Sequence, residues 1–288
     1  MPVNMSQRLS PIHRLRRYRP RRRPRYTGPS FNRIIPNLMT MIGLCVGLTA
    51  MRFALEGRFG AAAVAITVCG AIDGIDGRLA RLLKATSKFG AEFDSLSDFL
   101  CFGVVPAFTL YLWSLQTWGA FGYMPCLMFA VCMALRLARF NASLDSAPRP
   151  AYAYNFFTGV PAPAGAGLVL FPLFLGLEAQ SIGLDWLQTA ARHPMVCAIA
   201  LVGTALLSVS TVPVWSFKNF KVPSAYVLPL LLGTGLFVAL LVADPWAALA
   251  AGGLIYVGML PFSVRSFHRL RREAEAMHET ETIPSVPP

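Results

Sequence analysis

Eight apolar stretches fill most of the chain, at residues 34–55, 60–82, 95–116, 120–140, 159–178, 194–213, 224–243 and 246–264. Each is close to the ~20 residues that a helix needs to cross the hydrocarbon of a bilayer. Lipid offers no partner for a free backbone N–H or C=O, so runs of this length must satisfy their hydrogen bonds internally, as helices do. Composition agrees: 55% of the 288 residues are hydrophobic and 14% are charged, against the ~25% charge usual in soluble domains. The expectation is an all-α, polytopic integral membrane bundle of about eight transmembrane helices. Pro161-Ala162-Pro163 and the small residues that follow predict a broken or kinked fifth helix. The weakly polar stretch 179–193 predicts a short interfacial helix. Trp113, Trp215, Trp246 and Tyr226 are placed as anchors at the membrane surface.

The basic residues orient these spans. With the N-terminus in the cytoplasm, 23 of the 26 lysines and arginines fall on the inside, and only Arg52, Arg58 and Arg192 fall outside. An odd number of spans would destroy that bias, so both termini are expected in the cytoplasm. Residues 1–36 hold ten arginines and no acid. The domain layout is therefore a basic arm over 1–33 that does not fold alone, a transmembrane domain over 34–264 and a cytoplasmic tail over 265–288. Such an arm can bind nucleic acid; the favoured reading is a topogenic flank on anionic headgroups, at ~1 kcal/mol per basic residue near the surface. No cleavable leader is expected, because the first apolar run is a full span. The six cysteines all lie in apolar stretches without a C-x-x-C pair, which suggests buried small hydrophobes and neither a zinc site nor a disulfide framework.

Against this background the stretch Asp73–Asp98 is anomalous. Asp73 and Asp76 are three residues apart, Asp94 and Asp98 four apart, and in helices each pair shares one face. Apolar sequence abuts both sides. A carboxylate near hydrocarbon costs ~2.5–3.5 kcal/mol or more on insertion scales, and four that converge also repel one another. A cluster like this is tolerable with something strongly positive between its members, which argues for a metal site. Oxygen-only ligands select hard cations, Mg²⁺ or Mn²⁺, and the four histidines all lie outside the spans. Two ions held by four acids suit displacement at phosphorus. Gly77 and Ala80 leave the helix face beside the acids bare, and Arg81 can pair with a phosphate oxygen. The competing reading is a cation- or proton-coupled transporter with buried carboxylates. The packing of acids, glycines and basic residues into one hairpin, without repeat symmetry between the two halves, counts against it.

The arrangement Asp76-Gly77-x2-Ala80-Arg81-x8-Gly90-x3-Asp94-x3-Asp98 resembles the signature of the CDP-alcohol phosphatidyltransferases, with Asp73 matching that family's further upstream aspartate. Beyond the signature, IPNLMTMIGLCVGL (35–48), DSLSDFLCFGVVPA (94–107), ALRLARFN (134–141) and FFTGVPAPAGAG (156–167) are similar to the bacterial branch that makes phosphatidylserine.

The resemblance implies an enzyme that moves the phosphatidyl group of CDP-diacylglycerol to L-serine, with CMP as the other product. It implies that Asp73, Asp76, Asp94 and Asp98 ligate two divalent cations and that Asp98 is the base for the serine hydroxyl. Gly77, Ala80, Arg81 and Gly90 would line the CDP site, with Asn37 and Thr40 adding polar contacts. For the serine carboxylate, Arg136, Arg139 and Lys218 are the candidates, each equally readable as topogenic charge. A choline, inositol phosphate or glycerol phosphate acceptor would leave the signature unchanged. The expected setting is the bacterial inner membrane, with the site at the cytoplasmic face among membrane lipids, in a homodimer, and without nucleic acid.

Overall fold

A computed structural model describes residues 31–83, 87–144, 156–215 and 224–282. Lys218 lies outside these described residues, as do Lys84, Lys221 and nearly all of the basic arm. Helices α1 (Phe31–Leu55) and α2 (Phe59–Leu82) form the first hairpin. Its turn is closed by Gly57 in the left-handed region (φ 73°), where a residue without Cβ is favoured. The next span is continuous from Lys88 to Trp113, but its middle is not α-helical. It comprises α3 (Lys88–Asp98), a π-helical segment (Phe99–Val104) and α4 (Val105–Trp113). Pro106 has no N–H to donate to the carbonyl four residues back, which lies inside the π segment, and a wider turn accommodates that loss. This span begins seven residues earlier than the apolar run that predicts it. Ser87 makes that possible by capping α3, its hydroxyl accepting from the Gly90 N–H at 3.0 Å.

Helix α5 (Ala120–Leu144) packs against α9 (Pro194–Val209). The fifth span is broken, as its prolines predict: α6 (Ala162–Val169) and α7 (Phe171–Ser181) meet at 45°. The short helix expected in 179–193 is α8 (Asp185–Ala191), set at 49° to α9. Two long helices follow, α10 (Ser224–Ala243) and α11 (Pro245–Thr282). Among the described residues six helices are long and apolar enough to cross a membrane, and the two bent pairs bring the number to eight when each counts as one span.

Two features add to these expectations and one corrects them. Helix α11 continues from the last span through the polar stretch from 265 as far as Thr282. The chain also has a two-stranded antiparallel sheet, β1 (Phe156–Thr158) and β2 (Pro213–Trp215), paired Phe156 to Trp215 and Thr158 to Pro213. Strands of three residues give no detectable alternation in a sequence. The sheet is tied to α11 by the Ser263 hydroxyl, which donates to the Pro213 carbonyl at 2.8 Å. Finally, Trp113 is core: it is 6% exposed, and a Cβ on Gly176 would fall 2.7 Å from its ring.

The core runs through α2, the π segment, α4, α5, α6, α7 and α9, with Phe102, Leu110, Phe129 and Met133 fully enclosed. Four buried thiols behave as expected of small hydrophobes, those of Cys69, Cys101, Cys126 and Cys197, each donating to a backbone carbonyl. By contrast none of the apolar window of α10 is buried. That helix touches the bundle mainly through α11.

Candidate active site

The acid stretch folds as its spacing requires. Asp73 and Asp76 project from the last turns of α2, Asp94 from α3, and Asp98 from the junction where α3 passes into the π segment. Carboxylate oxygens of Asp73, Asp76 and Asp94 all lie within 4.8 Å of one another. Asp98 stands behind this triad, bounding one small void with Asp73 and Asp76. The ion pairs among the described residues are Arg52–Glu56, Arg58–Glu56 and Arg269–Glu273, so none of the four aspartates has a cation in salt-bridge contact. Three carboxylates that close, without a counter-charge, fit a divalent cation. Asp76 is 4% exposed and accepts a hydrogen bond from the Thr40 hydroxyl at 2.9 Å. Metal-binding carboxylates are commonly held this way by a neighbouring donor. The hydroxyl of Thr40, a residue expected among the nucleotide contacts, is engaged with Asp76 and the Pro36 carbonyl.

In front of the triad opens a cleft of about 200 Å³ between α1, α2 and α3. Asn37, Thr40, Gly77, Ala80, Arg81 and Gly90 all line it, beside Asp76 and Asp94. The two glycines serve it differently. A Cβ on Gly77 would meet nothing within 4 Å, so its bareness leaves the space to the cleft. A Cβ on Gly90 would sit 2.8 Å from Asn37 Oδ1, so there the missing side chain lets α3 approach α1. The capped first turn of α3 also faces the cleft, and a helix N-terminus favours an anion through its free N–H groups and dipole. Behind the triad is a void of only about 10 Å³, bounded by Asp73, Asp76, Asp98, Cys69, Cys101 and Phe102.

The two arginines on α5 part company. Arg139 donates from Nη1 to the Val209 carbonyl at 2.6 Å and from Nη2 to the carbonyls of Thr158, Ser208 and Ser210 at 3.2–3.4 Å. It caps the C-terminus of α9 and ties that helix to β1, where positive charge meets the negative end of the helix dipole. The join is tight at Gly159 (φ 79°), where a Cβ would fall 2.5 Å from the Ser208 carbonyl. Arg136 is partly buried and lies close enough to Asp98 to attract it, yet its Nε has no hydrogen-bond partner among the described residues. Both arginines line a second cavity of about 240 Å³ with Phe140, Ser143, Phe157 and Thr158.

Sequence reading missed Ser87 as the cap of α3 and the Ser95–Asn141 hydrogen bond that ties α3 to α5 at 3.0 Å. An S-x-x-G start offers a weak signal for the first. The second joins residues 46 apart, and nothing local announces it.

Comparison with known proteins agrees with this geometry. The profile of the CDP-alcohol phosphatidyltransferase family matches residues 33–205, and that of CDP-alcohol phosphatidyltransferase 2 matches residues 225–261. A Mycobacterium bovis protein named CDP-diacylglycerol–serine O-phosphatidyltransferase is 39% identical over 242 residues, covering 84% of this chain and 82% of its own. Proteins of the same name from Mycobacterium leprae (38% over 254 residues, 88% of this chain and 82% of the relative) and Helicobacter pylori (32% over 217 residues, 75% and 85%) are also similar. With the acid cluster held on α2 and α3 inside a bundle of membrane-length helices, the chain belongs to the CDP-alcohol phosphatidyltransferase family.

Proposed function

We propose that the protein transfers the phosphatidyl group of CDP-diacylglycerol to L-serine, giving phosphatidylserine and CMP. The observation that carries this reading is the convergence of Asp73, Asp76 and Asp94 at the head of a cleft whose walls leave room for a phosphate beside Gly77. The names of the similar proteins support serine as the acceptor.

In this reading Asp73, Asp76, Asp94 and Asp98 hold two divalent cations, Mg²⁺ or Mn²⁺. Bound there, the ions neutralise the carboxylates and the charge of a pyrophosphate. Asn37, Gly77, Ala80, Arg81 and Gly90 receive the CDP moiety, with Arg81 at a phosphate oxygen. Thr40 acts through Asp76, which its hydroxyl holds in place. A serine hydroxyl is a weak nucleophile at neutral pH and needs both a base and a fixed position. Asp98 accepts its proton at a carboxylate oxygen as the hydroxyl oxygen bonds to the phosphorus that carries diacylglycerol. The bond from that phosphorus to the bridging oxygen breaks, and CMP leaves with the electron pair. Arg136, near Asp98 and short of an acceptor, binds the serine carboxylate. Arg139 acts by holding α9 and β1 around that position.

The positive-inside distribution supports a site at the cytoplasmic face of the bacterial inner membrane, with both termini inside and membrane lipid as the source of CDP-diacylglycerol. The homodimer that the resemblance implies belongs to the same proposal, and cross-linking in native membranes tests it. The decisive experiment is CMP release by the purified protein with Mg²⁺ or Mn²⁺, CDP-diacylglycerol and a panel of acceptors. Serine should support turnover, and choline, inositol phosphate and glycerol phosphate should not. Turnover with one of those three and none with serine sinks the assignment.

A further inference from the structure

Three buried side-chain polar atoms have no hydrogen-bond partner among the described residues: Arg136 Nε on α5, Ser208 Oγ on α9 and the Tyr256 hydroxyl on α11. A buried polar group without a partner is costly, and such groups in a folded chain point to something that completes them. Contacts through Met133 link two of them, since Arg136 Nη1 approaches Met133 Sδ at 4.0 Å. The Arg136 guanidinium and the Tyr256 hydroxyl interact electrostatically, and Arg136 also faces Asp98. Ser208 Oγ lies 3.5 Å from where a Gly165 Cβ would stand, and the side chain of Met133, one turn before Arg136, lies 3.1 Å from the same point. Phe102 walls both the void beside the aspartates and the apolar chamber of about 280 Å³ that Tyr256 lines. Tyr256 is therefore one ring away from the acid cluster.

Charge and geometry narrow what completes the trio. Arg136 Nε–H and the tyrosine O–H are donors without an acceptor among the described residues, so an anion is the kind of group that would complete them. A serine hydroxyl oxygen can accept from a cation such as an ammonium. The cleft in front of the triad is lined by residues of α1, α2, the α3 cap and α3, and by none of α5, α9 or α11. The trio thus stands on the other side of the acids, where the second cavity brings Arg136 towards the end of α5.

We propose that Tyr256, on the last span, is a specificity-determining residue of the acceptor pocket: its hydroxyl donates to the carboxylate of an incoming amino-alcohol acid that Arg136 Nε–H also holds, while Ser208 Oγ accepts from the ammonium. The proposal rests on the reading of the protein as a phosphatidyl transferase to serine. It assigns α11 a part in choosing the acceptor.

The test is steady-state CMP release by the full chain in nanodiscs, varying serine at saturating CDP-diacylglycerol and then the reverse. Serinol, which lacks the carboxylate, is assayed beside serine. Tyr256→Phe removes one hydrogen bond to a charged group and should raise the KM for serine about tenfold or more, leaving the KM for CDP-diacylglycerol unchanged. The preference for serine over serinol should shrink by the same factor, which a merely structural role would not produce. An unchanged serine KM, or a rise in the KM for CDP-diacylglycerol instead, overturns the proposal; the latter would assign the hydroxyl to the lipid phosphate. If Tyr256→Phe does not assemble, Ser208→Ala decides from a different helix: both acceptors carry the ammonium, so the KM for serine and that for serinol should rise together at an unchanged KM for CDP-diacylglycerol, and an unchanged serine KM overturns the proposal. Wild-type protein without serine-dependent CMP release overturns the functional reading and this proposal together. Wild-type turnover with unaltered variants overturns this proposal alone.

Discussion

The acidic side of the site comes from 26 consecutive residues on two neighbouring helices, whereas its basic side draws Arg136 from α5, Ser208 from α9 and Tyr256 from α11. The difference extends to how each side is satisfied. Asp76 accepts from Thr40, and the triad is close enough to share a cation. On the basic side Arg139 spends its guanidinium on four carbonyls, while Arg136, one turn away on the same helix, has an Nε with no partner. Two arginines that look alike in ALRLARFN therefore do different work. One holds the scaffold together, and the other keeps a donor without a partner among the described residues, which the proposal gives to a ligand. What separates them is whether a helix C-terminus stands within reach.

The largest effect expected is on the acidic side. Asp98→Asn should lower CMP release by ~10²–10⁴-fold, the usual worth of a general base. The same change removes one of several crowded like charges, so the metal-free protein should melt no lower than wild type in a thermal-shift assay. Near-wild-type turnover would remove Asp98 as the base, and a lower melting point would make the loss one of folding.

The pair on α5 gives the next largest. Arg136→Met should raise the KM for serine by about 10–100-fold, as for a lost hydrogen bond to a charged group worth ~1.5–3 kcal/mol, with little change in melting temperature. Arg139→Met should do the opposite, destabilising by ~1.5–3 kcal/mol or more because four carbonyls lose their donor. Thermal shift and serine titration on both variants would break the comparison if the two behaved alike.

Thr40→Val should weaken Mn²⁺ binding by about tenfold, the lower end for loss of a group that orients a ligand. Calorimetric titration of Mn²⁺ reads this without any turnover. The smallest effect is expected from deleting residues 1–28, which should leave turnover intact and alter only its response to anionic lipid. Loss of activity there would give the arm a role that the site geometry does not.

Much of the acidic side was legible because helical spacing alone makes Asp73 and Asp76, and Asp94 and Asp98, share faces. Only five residues separate α2 from α3 in the sequence, and both helices pack on α1. Even there, the π segment behind Asp98 and the engagement of Thr40 with Asp76 were not legible, since the first depends on how a proline is accommodated and the second joins residues 36 apart. The bend at Pro161–Pro163 could be read because proline removes a donor wherever it falls. The β1–β2 pair could not, because strands of three residues carry no period.

By itself the sequence determined the membrane bundle, the break at the fifth span and the clustering of the acids. Each depends on local quantities, namely apolar length, the helical repeat and proline chemistry. Only the tertiary structure decided which arginine is a clamp and which has an Nε without a partner among the described residues, and that the hydroxyl of a tyrosine near the end of the chain is buried without one as well. Those outcomes depend on which helix ends and carbonyls arrive beside a side chain, and residues 70 to 120 positions apart have no local pattern through which to announce it.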